Sequence, residues 1–170
     1  AVQDVYSVCL PSVMSVGDNA FANCSSLTLD VLLPDSPAEG ETEALGATVF
    51  VGCNNIRGVR VEWGSYAIPA NTFSGQATLT SVYLNGVTEI GKAAFCCCTG
   101  LTELTLQDVR EIGVSAFEGC TSLRYVGIRM QEYDNSQVEV TATIGAKAFA
   151  NCKAITELNI SHCDACAEDA

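Results

Sequence analysis

The chain has 170 residues, of which 48% are hydrophobic and 16% charged, and 20 acidic against 8 basic side chains give it a formal net charge of −12. This length fits one domain with an apolar core. Scarce basic side chains argue against binding to a nucleic-acid backbone, and no run of apolar residues is long enough to cross a bilayer.

Six phenylalanines share one sequence context, which marks an internal repeat. They are Phe21, Phe50, Phe73, Phe95, Phe117 and Phe149. We number positions in each unit from its phenylalanine. Position −5 is always aliphatic, position −4 is glycine except for Pro69, and position +3 is cysteine except for Gln76. The glycine predicts either a positive φ or a close approach of two backbones.

Each unit ends in an alternating apolar segment, which predicts a short strand with one buried side. The apolar pairs are Val59 and Val61, Val82 and Leu84, Leu104 and Leu106, Val126 and Ile128, and Leu158 and Ile160. The Ala-Phe-x-x-Cys stretch predicts one helical or 3-10 turn, because i and i+3 share a helix face. Neither element can bury its apolar side alone, so the units are expected to stack as a solenoid.

Several segments depart from this regular unit. After Phe21, Asp30 stands where an aliphatic residue is expected, and Val31 and Leu33 indicate a one-residue shift. Inserts near 33–44 and 130–143 should emerge at one rim, the first as a mobile loop and the second as a small β-extension. We expect a single domain of about six to seven repeats over residues 1–170. Neither end resembles a polar cap, so we expect either a fragment of a longer array or a dimer contact at one end.

The motif I-G-x-x-A-F-x-x-C-x-x-L-x-x-L-x-L, seen at 90–106 and 112–128, resembles the BspA-like leucine-rich repeats that also occur in treponemal surface proteins. The resemblance implies an α/β solenoid, a right-handed superhelix with short parallel strands on its concave side and short helical or 3-10 turns on its convex side. It further implies a cell-surface or secreted adhesin that binds host matrix proteins or other cells. No catalytic residues accompany the resemblance.

The ten cysteines fall into distinct classes in this frame. At position +3 we expect buried, reduced thiols that act as small hydrophobic residues. These are Cys24, Cys53, Cys98, Cys120 and Cys152. Cys96 and Cys97 replace small or polar residues, so we expect them near the convex surface, as incidental thiols, reactive thiols, a vicinal disulfide or metal ligands. Cys9 falls on an outward strand position and is expected to be exposed.

Cys163 and Cys166 form a C-x-x-C motif beside the only histidine, His162, but lack the second ligand pair of a strong zinc signature. They fall on the positions of Val87 and Ile90 in a degenerate repeat, with a metal site or a terminal disulfide as the alternative. No phosphate-binding loop or H-E-x-x-H motif is present. We therefore predict no catalysis, no cofactor and no metal.

The outward positions of the strands are the candidate binding residues, because repeat arrays bind partners on such surfaces and interfaces favour Tyr and Arg. They are Arg60, Tyr83, Glu103, Thr105, Gln107, Tyr125, Arg129 and Asn159. The alternative is that they are ordinary solvated strand residues.

The prediction is a binding or adhesion module whose partner is a protein or glycan on a host cell, matrix or other cell, without membrane insertion. Two other functions stay open. One is a structural spacer that displays other domains. The other is a thiol or metal-binding protein that uses Cys96, Cys97, Cys163 and Cys166.

Overall fold

The structure, a computed structural model, describes residues 7–9, 15–24, 28–32, 45–61, 67–130, 142–160 and 165–166. Twelve β-strands and no helix occur within these residues. Seven strands form a large sheet: β1 (Ser7–Cys9), β2 (Thr28–Leu32), β3 (Asn55–Val61), β5 (Ser81–Asn85), β7 (Glu103–Gln107), β9 (Tyr125–Arg129) and β11 (Glu157–Ile160). Five two-residue strands form a small sheet: β4 (Ala67–Ile68), β6 (Glu89–Ile90), β8 (Glu111–Ile112), β10 (Thr143–Ile144) and β12 (Ala165–Cys166).

The large sheet is parallel throughout and follows chain order, β1-β2-β3-β5-β7-β9-β11. Equivalent residues of successive units pair directly, as in Val82 with Leu104 and Leu104 with Val126. Each unit is therefore one coil, and the predicted solenoid with parallel strands on its concave side is confirmed. A register shift between Leu29 and Asp30 confirms the predicted irregularity after Phe21.

The small sheet lies at positions −6 and −5, and the sequence analysis missed it. Its order is β12-β10-β8-β6-β4, again parallel, and an isolated bridge between Val16 and Leu45 occupies the same position −5. Two residues are too few to show an alternating pattern, which explains the omission. Cys166 pairs with Ile144, so it occupies position −5, as its place in the repeat predicted.

The predicted helical or 3-10 turns are wrong for the described units, because the backbone around each phenylalanine forms consecutive tight turns. Residues at positions −2 and +2 have φ of +53° to +77°, which a right-handed helix does not allow. Hydrogen bonds alternate accordingly. Ala94 N and Cys96 N donate within their own coil, each to a carbonyl three residues earlier, at 3.2 Å. Phe95 N donates instead to the carbonyl of Ala116 in the next coil, at 2.8 Å.

The phenylalanine rings form one continuous stack through the core. Successive ring centroids lie 5.1 to 5.6 Å apart, and the rings are within 15° of parallel. The four inner rings are fully buried, whereas Phe21 and Phe149 at the ends are partly buried. The inward strand residues of the central coils are likewise buried. Leu158 also occupies an inward position but is 59% exposed, because β11 is the last strand of the large sheet among the described residues.

The cysteines at position +3 make a second line through the core. Each thiol donates a hydrogen bond to the carbonyl of the phenylalanine in the preceding coil, at 3.0 to 3.3 Å. The donors are Cys53, Cys98, Cys120 and Cys152. All four are buried, and none forms a disulfide. The pKa of Cys53 is raised mainly by burial, and that of Cys152 by its contact with Cys120 and then by burial. The Cys53 and Cys152 thiols are therefore protonated donors at neutral pH.

Two members of this column differ from the others. Gln76 is 2% exposed and donates through Nε2 to the carbonyl of Phe50 at 3.1 Å, so an amide replaces the thiol as donor. Cys24 is exposed, so the prediction that it is buried is wrong.

The glycines at position −4 allow close backbone approach, and none of them has a positive φ. A Cβ built on Gly113 would lie 2.8 Å from both the Ile90 carbonyl oxygen and the Lys92 amide nitrogen. Gly91 and Gly145 would meet the coil before them in the same way. Of the two predicted reasons for glycine, the close approach is correct and the positive φ is wrong. The inserts lie almost entirely outside the described residues.

Replacement of a crowded glycine should destabilise the solenoid. Gly113→Ala is expected to lower the free energy of unfolding by about 1–3 kcal/mol, because backbone atoms must move to admit the methyl group. The matched control is Gly17→Ala, where a Cβ meets nothing within 4 Å. Urea unfolding of the two variants and the parent measures both effects. Equal stability of Gly113→Ala and Gly17→Ala would contradict the crowding.

Loss of a ladder thiol should also be costly. Cys120→Ala is expected to lower the free energy of unfolding by about 1–3 kcal/mol, because the Phe95 carbonyl loses a donor and a small cavity opens. Cys24→Ala occupies the same position in the first unit but is exposed, so its effect should stay within about 0.5 kcal/mol. Thermal unfolding of both variants tests this, and a comparable loss at Cys24 would show that the thiol-to-carbonyl bond is not the cause.

Candidate functional site

The eight predicted binding residues all lie on the outward side of the large sheet. Strand register arranges this side in three rows. The first row is Ser81, Glu103, Tyr125 and Glu157; the second is Arg60, Tyr83, Thr105, Gly127 and Asn159; the third is Asn85, Gln107 and Arg129. In the central strands these positions are exposed or half-buried and alternate with buried ones. The rows form a continuous surface on the concave side, which we call the concave surface.

One end of the second row is a contact between a cation and an aromatic ring. The Arg60 guanidinium carbon lies 5.2 Å from the centroid of the Tyr83 ring, and the two residues are direct neighbours in adjacent strands. An arginine over an aromatic face is attracted by the ring quadrupole. This contact orients two of the predicted residues and presents a flat, charged element to solvent.

Tyr125 lies along its own strand and covers Gly127. A Cβ built on Gly127 would be 2.7 Å from the Tyr125 hydroxyl oxygen and 3.1 Å from two ring carbons. The ring therefore occupies the space above Gly127, which is buried although it is an outward position. Thr105 and Asn159 pair with Gly127 on either side, so the Tyr125 ring lies in a shallow channel between two neighbouring strands.

A recess of about 490 Å³ opens at the edge where the strands begin. It is lined by Thr102, Glu103, Arg124, Tyr125, Thr156 and Glu157. Only Glu103 and Tyr125 were among the predicted residues. The recess joins carboxylates, a guanidinium and a phenol, and thus offers both signs of charge beside an aromatic ring.

Four of the six lining residues were not predicted, and three of them, Thr102, Arg124 and Thr156, share one physical reason. They stand at position +7, which has the same parity as the buried positions +9 and +11. The strands begin at position +8, so alternation does not extend back to them. Thr102 Oγ1 donates to the Thr80 carbonyl at 3.0 Å, which fixes this edge to the preceding coil. The role of Gly127 in making room for the Tyr125 ring was also not predicted. The only signal in the sequence was a glycine at position +10, where the other units have larger residues.

The cysteines proposed as an alternative site are placed only in part. Sγ of Cys96 and Sγ of Cys97 are 3.4 Å apart, on the turn side of the fourth unit, with Cys97 exposed and Cys96 half-buried. His162 and Cys163 lie outside the described residues, as does the side chain of Cys166. No group of three or more His, Cys, Asp or Glu side chains in the described part of the chain could hold a metal ion.

Comparison with known proteins gives the family. Residues 3–124 and 130–166 match the BspA type leucine rich repeat region, in six copies. The chain belongs to this BspA-type leucine-rich repeat family. No curated protein sequence matches it. Among the residues that the structure describes, no helix is long and apolar enough to cross a membrane.

Solved structures of bacterial repeat proteins are similar. A leucine-rich repeat protein from Bacteroides ovatus is 30% identical, with a TM-score of 0.65 over 87% of this chain and 35% of that one. The present chain thus spans about a third of that protein. A Treponema pallidum leucine-rich repeat protein is 22% identical, with a TM-score of 0.56 over 88% of this chain and 77% of that one, and it supports the fold. A leucine-rich cell surface protein from Faecalibacterium prausnitzii is 21% identical, with a TM-score of 0.41 over 92% and 60% of the two chains.

The contact between Tyr125 and Gly127 gives a direct structural test. Gly127→Ala should displace the Tyr125 ring from the channel at little cost in stability, because the crowded atoms are the far end of a side chain that can rotate. Ring-proton chemical shifts of Tyr125 should move, and the free energy of unfolding should change by less than about 1 kcal/mol. Gly17→Ala, which meets no atom within 4 Å at a residue without a positive φ, is the control for the spectrum. Unchanged Tyr125 shifts would show that the ring does not cover Gly127.

Proposed function

We propose that the chain is a binding and adhesion module that uses the concave surface to hold a protein or glycan of another cell or matrix. The observation that carries the proposal is the spacing of its aromatic residues. Tyr83 and Tyr125 lie two strands apart, next to Arg60 on one side and the recess on the other. Tyrosine and arginine are the residues that most often supply binding energy in interfaces.

The chemistry of the concave surface favours a partner of mixed polarity. Arg60 and Arg129 are balanced by Glu103 and Glu157, and Thr105, Gln107 and Asn159 add neutral hydrogen-bonding groups. Aromatic faces stack on apolar side chains and on the flat faces of sugars, and the amides and carboxylates accept hydroxyl or amide donors. The net charge of −12 disfavours a polyanionic partner such as nucleic acid.

The module would act at the cell surface or in a secreted protein, without catalysis of its own. Membership of a family of repeat proteins supports a role in protein interaction. Buried thiols suit an oxidising compartment, because oxidants attack exposed thiolates first. A structural spacer is the competing function, and the adhesion experiment separates the two.

The test is adhesion of beads coated with the chain to immobilised extracellular-matrix protein and to epithelial cell layers. Tyr83→Ala combined with Tyr125→Ala should reduce bead retention by at least about tenfold, because each truncated hot-spot residue costs about 1–2 kcal/mol. The matched control combines Val51→Ala with Val114→Ala, which removes two exposed apolar side chains outside the strands. Circular dichroism and urea unfolding confirm that both variants fold.

Retention by the control variant but not by the tyrosine variant supports the concave surface. Equal retention of parent, control and tyrosine variant means that adhesion does not use the tyrosines. A parent chain that is retained no better than uncoated beads favours the spacer.

A further inference from the structure

The pair Cys96 and Cys97 breaks a rule that the other units obey. Position +2 has a positive φ in every unit, and it is occupied by glycine or asparagine in the five other units: Asn23, Gly52, Gly75, Gly119 and Asn151. Cys97 is the exception, with φ +60°. A residue with a Cβ and no amide is disfavoured in this left-handed region. Thr48, Ala93, Ser115 and Lys147 adopt the same left-handed conformation at position −2, so Cys97 is exceptional in the composition of its own column.

The two thiols are in contact and held by backbone hydrogen bonds on both sides. Their Sγ atoms are 3.4 Å apart. Cys97 N donates to the carbonyl of Glu118 in the next coil at 2.7 Å, and Gly75 N of the preceding coil donates to the Cys96 carbonyl at 2.8 Å. Within the coil, Cys96 N donates to the Ala93 carbonyl at 3.2 Å. The pair is thus presented in a fixed geometry, so a ligand that needs two sulfurs meets little cost of ordering them.

The neighbouring coils leave space beside Cys97. Its equivalents before and after are Gly75 and Gly119, which carry no side chain. A Cβ built on Gly75 would meet nothing within 4 Å, and one on Gly119 would lie 3.4 Å from Cys97 Sγ. Cys97 is exposed and Cys96 is half-buried. A small atom that bridges the two sulfurs is therefore reachable from solvent.

We propose that Cys96 and Cys97 form a vicinal dithiol site that binds trivalent arsenicals or an equally thiophilic pyramidal centre through both sulfurs. With bonds of about 2.3 Å, the length of a zinc–thiolate bond, sulfurs 3.4 Å apart subtend about 95° at the bound atom. That angle fits a pyramidal three-bonded centre. A structural zinc site needs four ligands, and no group of three candidate ligands occurs in the described part of the chain.

The binding step exchanges bonds without a redox change. An organic arsenic oxide, R–As=O, condenses with the two thiols: two As–S bonds form, the As–O bond breaks, and both thiol protons leave with the oxygen as water. Burial, the hydrogen bond with Cys97 and the nearby charges of Cys97 and Glu118 raise the pKa of Cys96 to about 11.

The experiment is titration of the reduced chain with phenylarsine oxide, followed by counting of free thiols. Every protein carries Cys163→Ser and Cys166→Ser, so that the second pair of cysteines cannot contribute. One equivalent should remove two thiols, and a small dithiol should release the arsenical while a monothiol at equal thiol concentration does not. Cys97→Gly, which restores the usual residue of this position, should weaken binding by about 10²–10⁴-fold, the gain expected from a second linked contact.

Cys24→Ser is the matched control, because Cys24 is an exposed cysteine without a neighbouring cysteine in sequence, and its affinity should equal that of the parent. The proposal is overturned if Cys97→Gly binds within about threefold of the parent, if one equivalent removes a single thiol, or if the monothiol releases the arsenical as readily as the dithiol. A negative result in this titration would not bear on the proposed function of the concave surface, because Cys96 and Cys97 lie on the turn side of the coil.

Discussion

Hydrogen bonding between successive coils, residue for residue, is the interaction on which the rest of the structure depends. Parallel strands lie about 4.8 Å apart, so every position must repeat at that interval through the stack. Phenylalanine rings then stack at 5.1 to 5.6 Å. The same interval brings the backbone of one coil against position −4 of the next, where an added Cβ would crowd backbone atoms, as at Gly113. The repeat motif in the sequence therefore follows from this spacing between coils.

Stacking of the coils fixes the chemical role of each position, but more than one residue type can fill that role. At position +3 the role is donation of a hydrogen bond to the preceding phenylalanine carbonyl. A thiol does this in four coils, and the amide of Gln76 does it in one. The substitution has a cost, because Gln76 Oε1 is buried and has no hydrogen-bond partner among the described residues. Cys24, at the same position in the first unit, is exposed. The cysteine line is therefore a set of donors, and its members are not a disulfide framework.

Periodicity determines which parts of this fold are predictable. The coils and their register follow the repeat and were predicted correctly, as were the buried strand residues of the central coils. Phe and Cys at i and i+3 were assigned to a helical turn, but consecutive tight turns give the same spacing. The distinguishing signal was glycine or asparagine at position +2, as in Gly75 and Asn151. The two-residue strands are too short for a pattern, and Arg124 in the recess has the parity of a buried residue. Those features depend on where strands begin, which alternation alone does not determine.

The exceptions to the repeat divide the solenoid into two functional sides. On the concave side, Gly127 interrupts a column of larger residues and makes room for the Tyr125 ring. On the turn side, Cys97 interrupts a column of glycine and asparagine and meets Cys96. Neither exception is required by stacking, since the other coils form without it, and Cys97 opposes the local backbone preference. In a structure where one spacing dictates nearly every buried position, chemistry peculiar to this chain is confined to positions that the spacing leaves free. Both proposals rest on such positions, and because they lie on different sides of the coil, each can be altered without the other.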